Sequence, residues 1–180
     1  MLIAREKKKS NIAEYVLYMW QVEDLIRVYG FDMERIEKNI VAQYRQSEKV
    51  KQEIRDWYAN LIVMMYEERI QKTGHLQFVK NTINEINDLH LRLLNDLNDE
   101  KYKGLYRLAE PNIHEFNQRS LHKASNDIET CFNGLYALLM LRLQKKNIST
   151  ETKEAMSTFS SMLAYLSKKY KDMEDGNLEL

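Results

Sequence analysis

An all-α fold is the class that this sequence predicts, and three observations predict it. Only five glycines and one proline occur in 180 residues, which argues against sandwiches, barrels and other folds rich in turns. Apolar residues recur at the three- and four-residue spacing of amphipathic helices along most of the chain. The length suits one hydrophobic core. We expect a single domain, 1–180, folded as a single compact bundle of six or seven mostly antiparallel helices, with frayed ends at about 1–9 and 173–180.

The first helix is expected to begin at Ser10 or Asn11, either of which can cap it, and to end near Gly30. Its apolar stripe comprises Ile12, Tyr15, Met19, Val22, Ile26 and Tyr29. Four further apolar residues widen that stripe: Val16, Leu17, Trp20 and Leu25. Because a surface helix needs a narrower stripe, we expect this helix to be central and covered on several sides.

Three more helices are expected before residue 100. The second begins at Asp32, and Ser47 or a short break separates it from the third. The third helix runs to Lys72, with Gly74 as its stop. The fourth covers about 76–97, where the apolar spacing repeats.

The second half of the chain is organised around its only proline. A short helix, Tyr102–Ala109, is expected to close at Pro111, which disfavours helical geometry in the residue before it. The following segment, Asn112–Lys146, reads as one long helix or as two that break near Asn126. The last helix opens near Ser149 or Thr150.

Composition narrows the classes of function. The formal net charge of zero removes the overall attraction to phosphate backbones, so a nucleic-acid partner is not expected. The longest apolar runs, 61–66 and 135–141, are far shorter than the ~20 residues of a membrane span. The single cysteine, Cys131, suits a reducing compartment, and the first residues lack the apolar run of a secretory signal. We expect a cytoplasmic protein.

Strong chemical motifs are missing from the sequence. There is no glycine-rich phosphate loop, no Cys pair and no His-Glu-x-x-His, and the Glu-x-x-His of di-iron bundles is also absent. The residues three before the histidines His75, His90, His114 and His122 are Lys72, Asn87, Pro111 and Arg119. We therefore expect neither a metal site nor a cofactor.

Polar residues on apolar stripes are the more informative signal. Glu23 and Arg27 project from the apolar side of the first helix, one turn apart. Glu68 extends the apolar line of the third helix, and His90 interrupts that of the fourth. Because a buried carboxylate must be paired or protonated, these four residues predict a buried polar cluster. Such a cluster either fixes helix register or binds a small polar ligand, and the structural role is favoured.

The basic run from Arg5 to Lys9 carries a net charge of +3. Such a run can meet phosphate or a membrane surface, but it is more often a solvated helix start or a frayed terminus. We favour the solvated interpretation for this run.

Two Arg–His pairs resemble a catalytic pattern. All-helical ribonucleases of the HEPN superfamily carry Arg followed by His after four to six residues, and the pair acts on the RNA phosphate and the 2′-hydroxyl. Arg69 and His75 have five residues between them, and Arg107 and His114 have six. Composition alone produces such matches by chance, and neither pair is expected within an uninterrupted helix. An RNA-cleaving activity is kept as an alternative.

Two stretches carry a resemblance to a known family. Asn11–Arg27, NIAEYVLYMWQVEDLIR, and Cys131–Ser149, CFNGLYALLMLRLQKKNIS, resemble those of uncharacterised proteins of about this length from Bacteroidetes bacteria. The resemblance implies a cytoplasmic helical protein and supplies no activity, so no catalytic residue is carried over. It covers nearly the whole chain.

The function expected from these observations is non-enzymatic. We expect a cytoplasmic helical protein that binds a protein partner or itself, as a homodimer through an exposed part of a wide apolar helix. One alternative is the ribonuclease built on Arg69 and His75 or on Arg107 and His114. The other is a small-ligand sensor built on the predicted polar cluster.

Overall fold

A computed structural model describes residues 2–121 and 123–178 of the chain. Within these residues the fold is all-helical, as the sequence predicts, and contains no strand. The helices are α1 (Leu2–Ser10), α2 (Ile12–Val28), α3 (Met33–Asn39), α4 (Glu48–Glu67), α5 (Gln77–Asn95), α6 (Glu100–Arg119), α7 (Asp127–Leu143) and α8 (Thr150–Glu174), with a 3-10 helix at Val41–Gln43. The predicted number of six or seven is wrong, because these residues form eight α-helices.

The additional helix at the start of the chain is α1. The sequence analysis leaves residues 1–9 as a frayed end, but residues 2–10 are helical and Ala4 is buried. Asn11 alone separates α1 from α2, since its extended backbone breaks the helix and its side chain caps the next one. Its Oδ1 accepts the backbone N–H groups of Ala13 and Glu14, each at 3.1 Å. Residues 1, 179 and 180, at the expected frayed ends, lie outside the described residues.

The second departure from expectation concerns Pro111. Instead of closing a short helix, Pro111 lies inside α6, which continues without interruption from Glu100 to Arg119. The break in the expected 112–146 segment falls between the end of α6 at Arg119 and the beginning of α7 at Asp127, and Asn126 is the N-cap of α7. Local proline geometry is overridden here because α6 packs along α8.

Helix α8 provides the largest packing surface of the bundle, against α6 and α7. Helices α6 and α8 are antiparallel, because the beginning of α6 contacts the later part of α8 and the later part of α6 contacts the earlier part of α8. The Asp99 carboxylate, which caps α6, lies 3.0 Å from the Lys169 ammonium. At the other end, Asn112 Nδ2 lies 3.2 Å from Thr158 Oγ1.

Helices α7 and α8 approach closely at Gly134. A Cβ placed on this glycine would lie 2.8 Å from a ring carbon of Phe159 and 3.1 Å from Met156 Sδ. Both distances are shorter than ordinary van der Waals contact. The absence of a side chain at residue 134 therefore allows these two helices to approach this closely.

Helix α2 is as central as its wide stripe predicts, since it contacts α4, α5, α7 and α8. Its buried residues are Ile12, Ala13, Tyr15, Val16, Met19, Trp20, Val22, Glu23 and Ile26. It runs parallel to α7, because Trp20 contacts Phe132 and, one turn later on both helices, Asp24 contacts Tyr136.

The described residues contain no helix that is both long enough and apolar enough to cross a membrane.

Candidate functional site

Glu23 is the buried acid that the sequence singles out. It lies on α2 with no exposed surface. Its Oε2 is 2.6 Å from His75 Nδ1, and its Oε1 accepts the backbone N–H of Leu76 at 3.0 Å. Both oxygens of Glu23 are therefore engaged at the start of α5.

The His75 ring is also held by stacking. It lies flat against the indole of Trp20, with ring centroids 4.1 Å apart and planes 12° apart. The edges of Phe132 and Tyr136 on α7 complete the aromatic surroundings of Trp20, at 6.0 Å and 5.4 Å. The His75 side chain keeps 27% of its surface exposed. One face of the imidazole is therefore buried, and its orientation is fixed by two neighbours.

Arg27 lies one turn after Glu23 on α2 and binds the segment that connects α4 to α5. Its guanidinium donates to the backbone carbonyls of Ile70, at 3.1 Å, and of Gly74, and it pairs with Asp24 at 2.8 Å. The other Asp24 oxygen accepts the Tyr136 hydroxyl at 2.5 Å. The pKa of Tyr136 is raised above its ordinary value. Burial is the largest cause, and the hydrogen bond to the Asp24 carboxylate is the second. The Nε of Arg27 is buried, and no partner for it is seen among the described residues.

We call this group the His75 cluster, and it consists of Trp20, Glu23, Asp24, Arg27, His75 and Tyr136. Its hydrogen bonds join α2 to residues 70–76, which connect α4 to α5, and to α7. The connection turns at Gly74, whose φ of +95° favours glycine. The cluster therefore holds an irregular segment against the central helix.

Glu68 is predicted to extend the buried apolar line of the helix, but this prediction is wrong. The residue is exposed and lies just beyond the end of α4. Helical spacing places it on the core side only if the helix continues, and α4 ends at Glu67. Its Oε2 accepts the backbone N–H of Gln77 at 2.7 Å, where α5 begins and the N–H groups have no helical partner. Glu68 therefore helps to cap α5 beside the cluster.

His90 is buried, as predicted, but in a different part of the core. Its Nδ1 lies 2.6 Å from the hydroxyl of Tyr102, and the rings of Tyr102 and Tyr106 contact it edge-on. Burial lowers the pKa of His90, and the charge of Asp127 opposes that shift. The four predicted residues therefore do not form one site, and the partner of Glu23 is His75.

The Arg–His pairs occupy different settings. Arg69 is exposed at a positive φ of 58°, while the ring of His75 is held by Glu23. Arg107 and His114 are both exposed on α6, seven residues apart, which is about 10 Å along a helix. His114 Nε2 lies 2.7 Å from Gln118 Nε2. His122, the remaining histidine of the chain, lies outside the described residues.

Sequence reasoning had paired His75 with Arg69 and not with Glu23. A histidine on a connection has no helical period that would place it on a face, so no pattern could align it with α2. Within the described ranges, no group of three or more His, Cys, Asp and Glu side chains is placed to hold a metal ion.

Comparisons with known proteins place the chain in a family without assigning a role. Residues 1–177 match a family model described as a domain of unknown function, DUF4924. No curated protein and no solved structure matches the chain. The predicted resemblance to an uncharacterised family is therefore confirmed.

Proposed function

This chain belongs to the DUF4924 family of unknown function, and we propose that it is a non-enzymatic helical protein that associates with a second copy of itself. A cytoplasmic location and an origin in Bacteroidetes remain part of the proposal. The observation that carries it is a group of exposed apolar side chains where α2 and α4 end.

The His75 cluster supports a structural role for the buried polar residues. The side chains of Glu23, Asp24 and His75 each have partners inside the protein. A general acid or base must reach a substrate proton, and Glu23 is wholly buried with both oxygens engaged. The arrangement therefore favours the fixing of helix register over catalysis.

We call this group the α2–α4 patch, and it consists of four exposed apolar side chains and the half-buried Phe31; the exposed ones are Leu25, Val28, Val63 and Tyr66. Val28 is 72% exposed on α2, and Val63 is 53% exposed on α4. Tyr66 lies one turn after Val63 on the same face of α4. Its ring is 5.0 Å from that of Phe31, which follows α2. The contact joins the two exposed segments into one surface.

A second copy of the chain is the partner that this surface fits most simply. The patch is apolar, and a twofold interface places the same residues of two copies against each other. Burial of apolar area is the main favourable contribution to such a contact. No complementary charge is required of the other side.

The test is the molar mass in solution, measured by light scattering on the full chain. We expect twice the 21.5 kDa of one chain for the wild type and one chain for the double variant Val28→Asp/Val63→Asp. Leu121→Asp is the matched control, because Leu121 is 97% exposed on the α6–α7 connection. A monomeric wild type, or a control that dissociates as readily as the double variant, would overturn the proposal.

A further inference from the structure

The geometry points to a binding site for a small phosphorylated molecule in the cleft between α1 and the C-terminal part of α8. This inference is independent of self-association, since the cleft and the α2–α4 patch share no residue. The cleft exists because residues 2–10 are helical and lie beside α8.

The cleft has the size of a small-molecule site. Its volume is about 650 Å³, within the range of roughly 300–1,000 Å³ that is usual for ligand pockets. Ile12 and Tyr170, both buried, line its inner part. The Tyr170 hydroxyl is engaged with Glu85 at 2.8 Å, so a ligand meets mainly the apolar part of this side chain.

Four cations line the cleft. Arg5, Lys8 and Lys9 belong to α1, and Lys171 lies in the last turn of α8. Glu174 and Asp175 are the acids in the lining, which leaves two positive charges in excess. The whole chain has a formal net charge of zero, so this local excess is a property of the cleft.

The spacing of the α1 cations places them on one face. Lys8 and Lys9 follow Arg5 by three and four residues, so each of their side chains is a neighbour of Arg5 on the helix surface. Like charges at this spacing destabilise a helix by about 0.2–0.5 kcal/mol per pair. An anion bound in the cleft would offset that repulsion, because all three cations line it.

The cleft cations are also free of ion pairs, unlike a neighbour on the same helix. Lys7 pairs with Glu14 at 2.8 Å. Within the described part of the chain, Arg5, Lys9 and Lys171 form no ion pair, and Lys8 has only the ring of Tyr15, at 5.7 Å. Their charge is therefore available to a ligand.

The chemistry of this lining selects a phosphorylated ligand. Several cations within one helical turn suit a group that carries more than one negative charge, and a phosphate or diphosphate offers several acceptor oxygens. The apolar inner part suits an organic portion of the same molecule. In this proposal the exposed basic run, for which a solvated end is expected from the sequence, supplies three of the four cations that bind the ligand.

The experiment is calorimetric titration of the full chain with inorganic pyrophosphate and with magnesium-free ATP. Both are expected to bind at low ionic strength, and more weakly at about 0.5 M salt, where the screening length falls below about 5 Å. Lys8→Gln and Lys171→Gln are each expected to weaken binding about fivefold, the loss of one partly exposed ion pair. All these side chains are exposed, so circular dichroism and the unfolding midpoint serve to check that the variants fold.

Lys168→Gln is the matched control, because Lys168 is exposed on α8 but does not line the cleft. We expect its affinity to stay within about twofold of the wild type. Absence of binding, or an equal loss in the control, would contradict the site. A lipid surface is the other source of phosphate, so binding to vesicles of phosphatidylglycerol without binding of pyrophosphate would also overturn the inference.

Discussion

The carboxylate of Glu23 and the imidazole of His75 lie 2.6 Å apart, although 52 residues separate them in the chain. The same carboxylate accepts the N–H of Leu76, the residue before α5 begins. One buried acid on α2 therefore holds two successive residues of the connection, through the side chain of His75 and the backbone N–H of Leu76, the N-cap residue of α5. Four predictions test this and three other contacts.

Replacement of Glu23 with alanine is expected to lower the free energy of unfolding by about 2–4 kcal/mol, because the buried N–H of Leu76 and the partly exposed imidazole of His75 lose their partner. Urea unfolding followed by circular dichroism measures the change. Glu14→Ala is the control on the same helix, since Glu14 is 57% exposed and pairs with Lys7 at the surface. It is expected to cost less than about 1 kcal/mol. Similar costs for both variants would show that the buried contact is not stabilising.

Replacement of Arg27 with lysine is expected to loosen the α4–α5 connection. The guanidinium reaches Ile70, Gly74 and Asp24 together, and one ammonium cannot reproduce that planar geometry. Amide hydrogen exchange in residues 70–76 is expected to become about tenfold faster. Peptides from α6, measured in the same sample, provide the internal control. Unchanged exchange in the connection would refute this role of Arg27.

Alanine at the two helical glycines is expected to have opposite effects. Gly134→Ala should destabilise the protein by about 1–3 kcal/mol, because the new Cβ meets Phe159 and Met156. Gly104→Ala is the matched change, since a Cβ there meets nothing within 4 Å on α6. It should stabilise by about 0.5–1 kcal/mol, because alanine favours helix more than glycine. The measurement is the thermal unfolding midpoint of both variants relative to the wild type. Stabilisation by Gly134→Ala would contradict the close packing of α7 and α8.

The buried histidine is expected to make stability depend on pH. Burial holds the pKa of His90 below its ordinary 6.5, so below that pH the unfolded chain binds a proton that the folded chain does not. This contribution to stability is present above pH 6.5 and is lost as the pH falls from 6.5 toward the lowered folded value.

The measurement is the difference in urea midpoint between about pH 7.5 and about pH 5.5. We expect the difference to shrink in His90→Gln. The exposed His114 provides the control, because His114→Gln should keep the difference found in the wild type. An equal difference in all three proteins would exclude His90 as the group responsible.

The helical elements with a strong local signal are those that the sequence predicts well. Asn11 is a capping residue followed by a wide apolar stripe, and α2 begins at Ile12 and is buried on several sides. The beginning of α2 and its burial both depend on residues within the same few turns. The capping residue and the spacing of apolar residues are therefore enough to predict them. The class of fold follows from the same kind of information.

Where the prediction fails, distant contacts decide. Pro111 signals a helix end, but α6 packs against α8 on both sides of it and continues. Glu23 is correctly predicted to be buried, because its place on the α2 stripe is local information. The sequence does not predict the partner of Glu23, because His75 lies on an irregular segment whose position is set by Arg27 and Gly74. No spacing pattern in the sequence therefore predicts the contact between Glu23 and His75.

The position of α2 has a consequence for synthesis of the chain. Its contacts reach Phe132 on α7 and Ser167 on α8, and the Ala13–Ser167 hydrogen bond spans 154 residues. At roughly 5–20 residues per second, a ribosome needs about 8–30 s to add that length. The apolar side of α2 thus emerges long before the helices that cover it. During that interval the part of α2 that packs against α8 has no partner within the chain, and the packing of α2 is complete only after α8 has been synthesised.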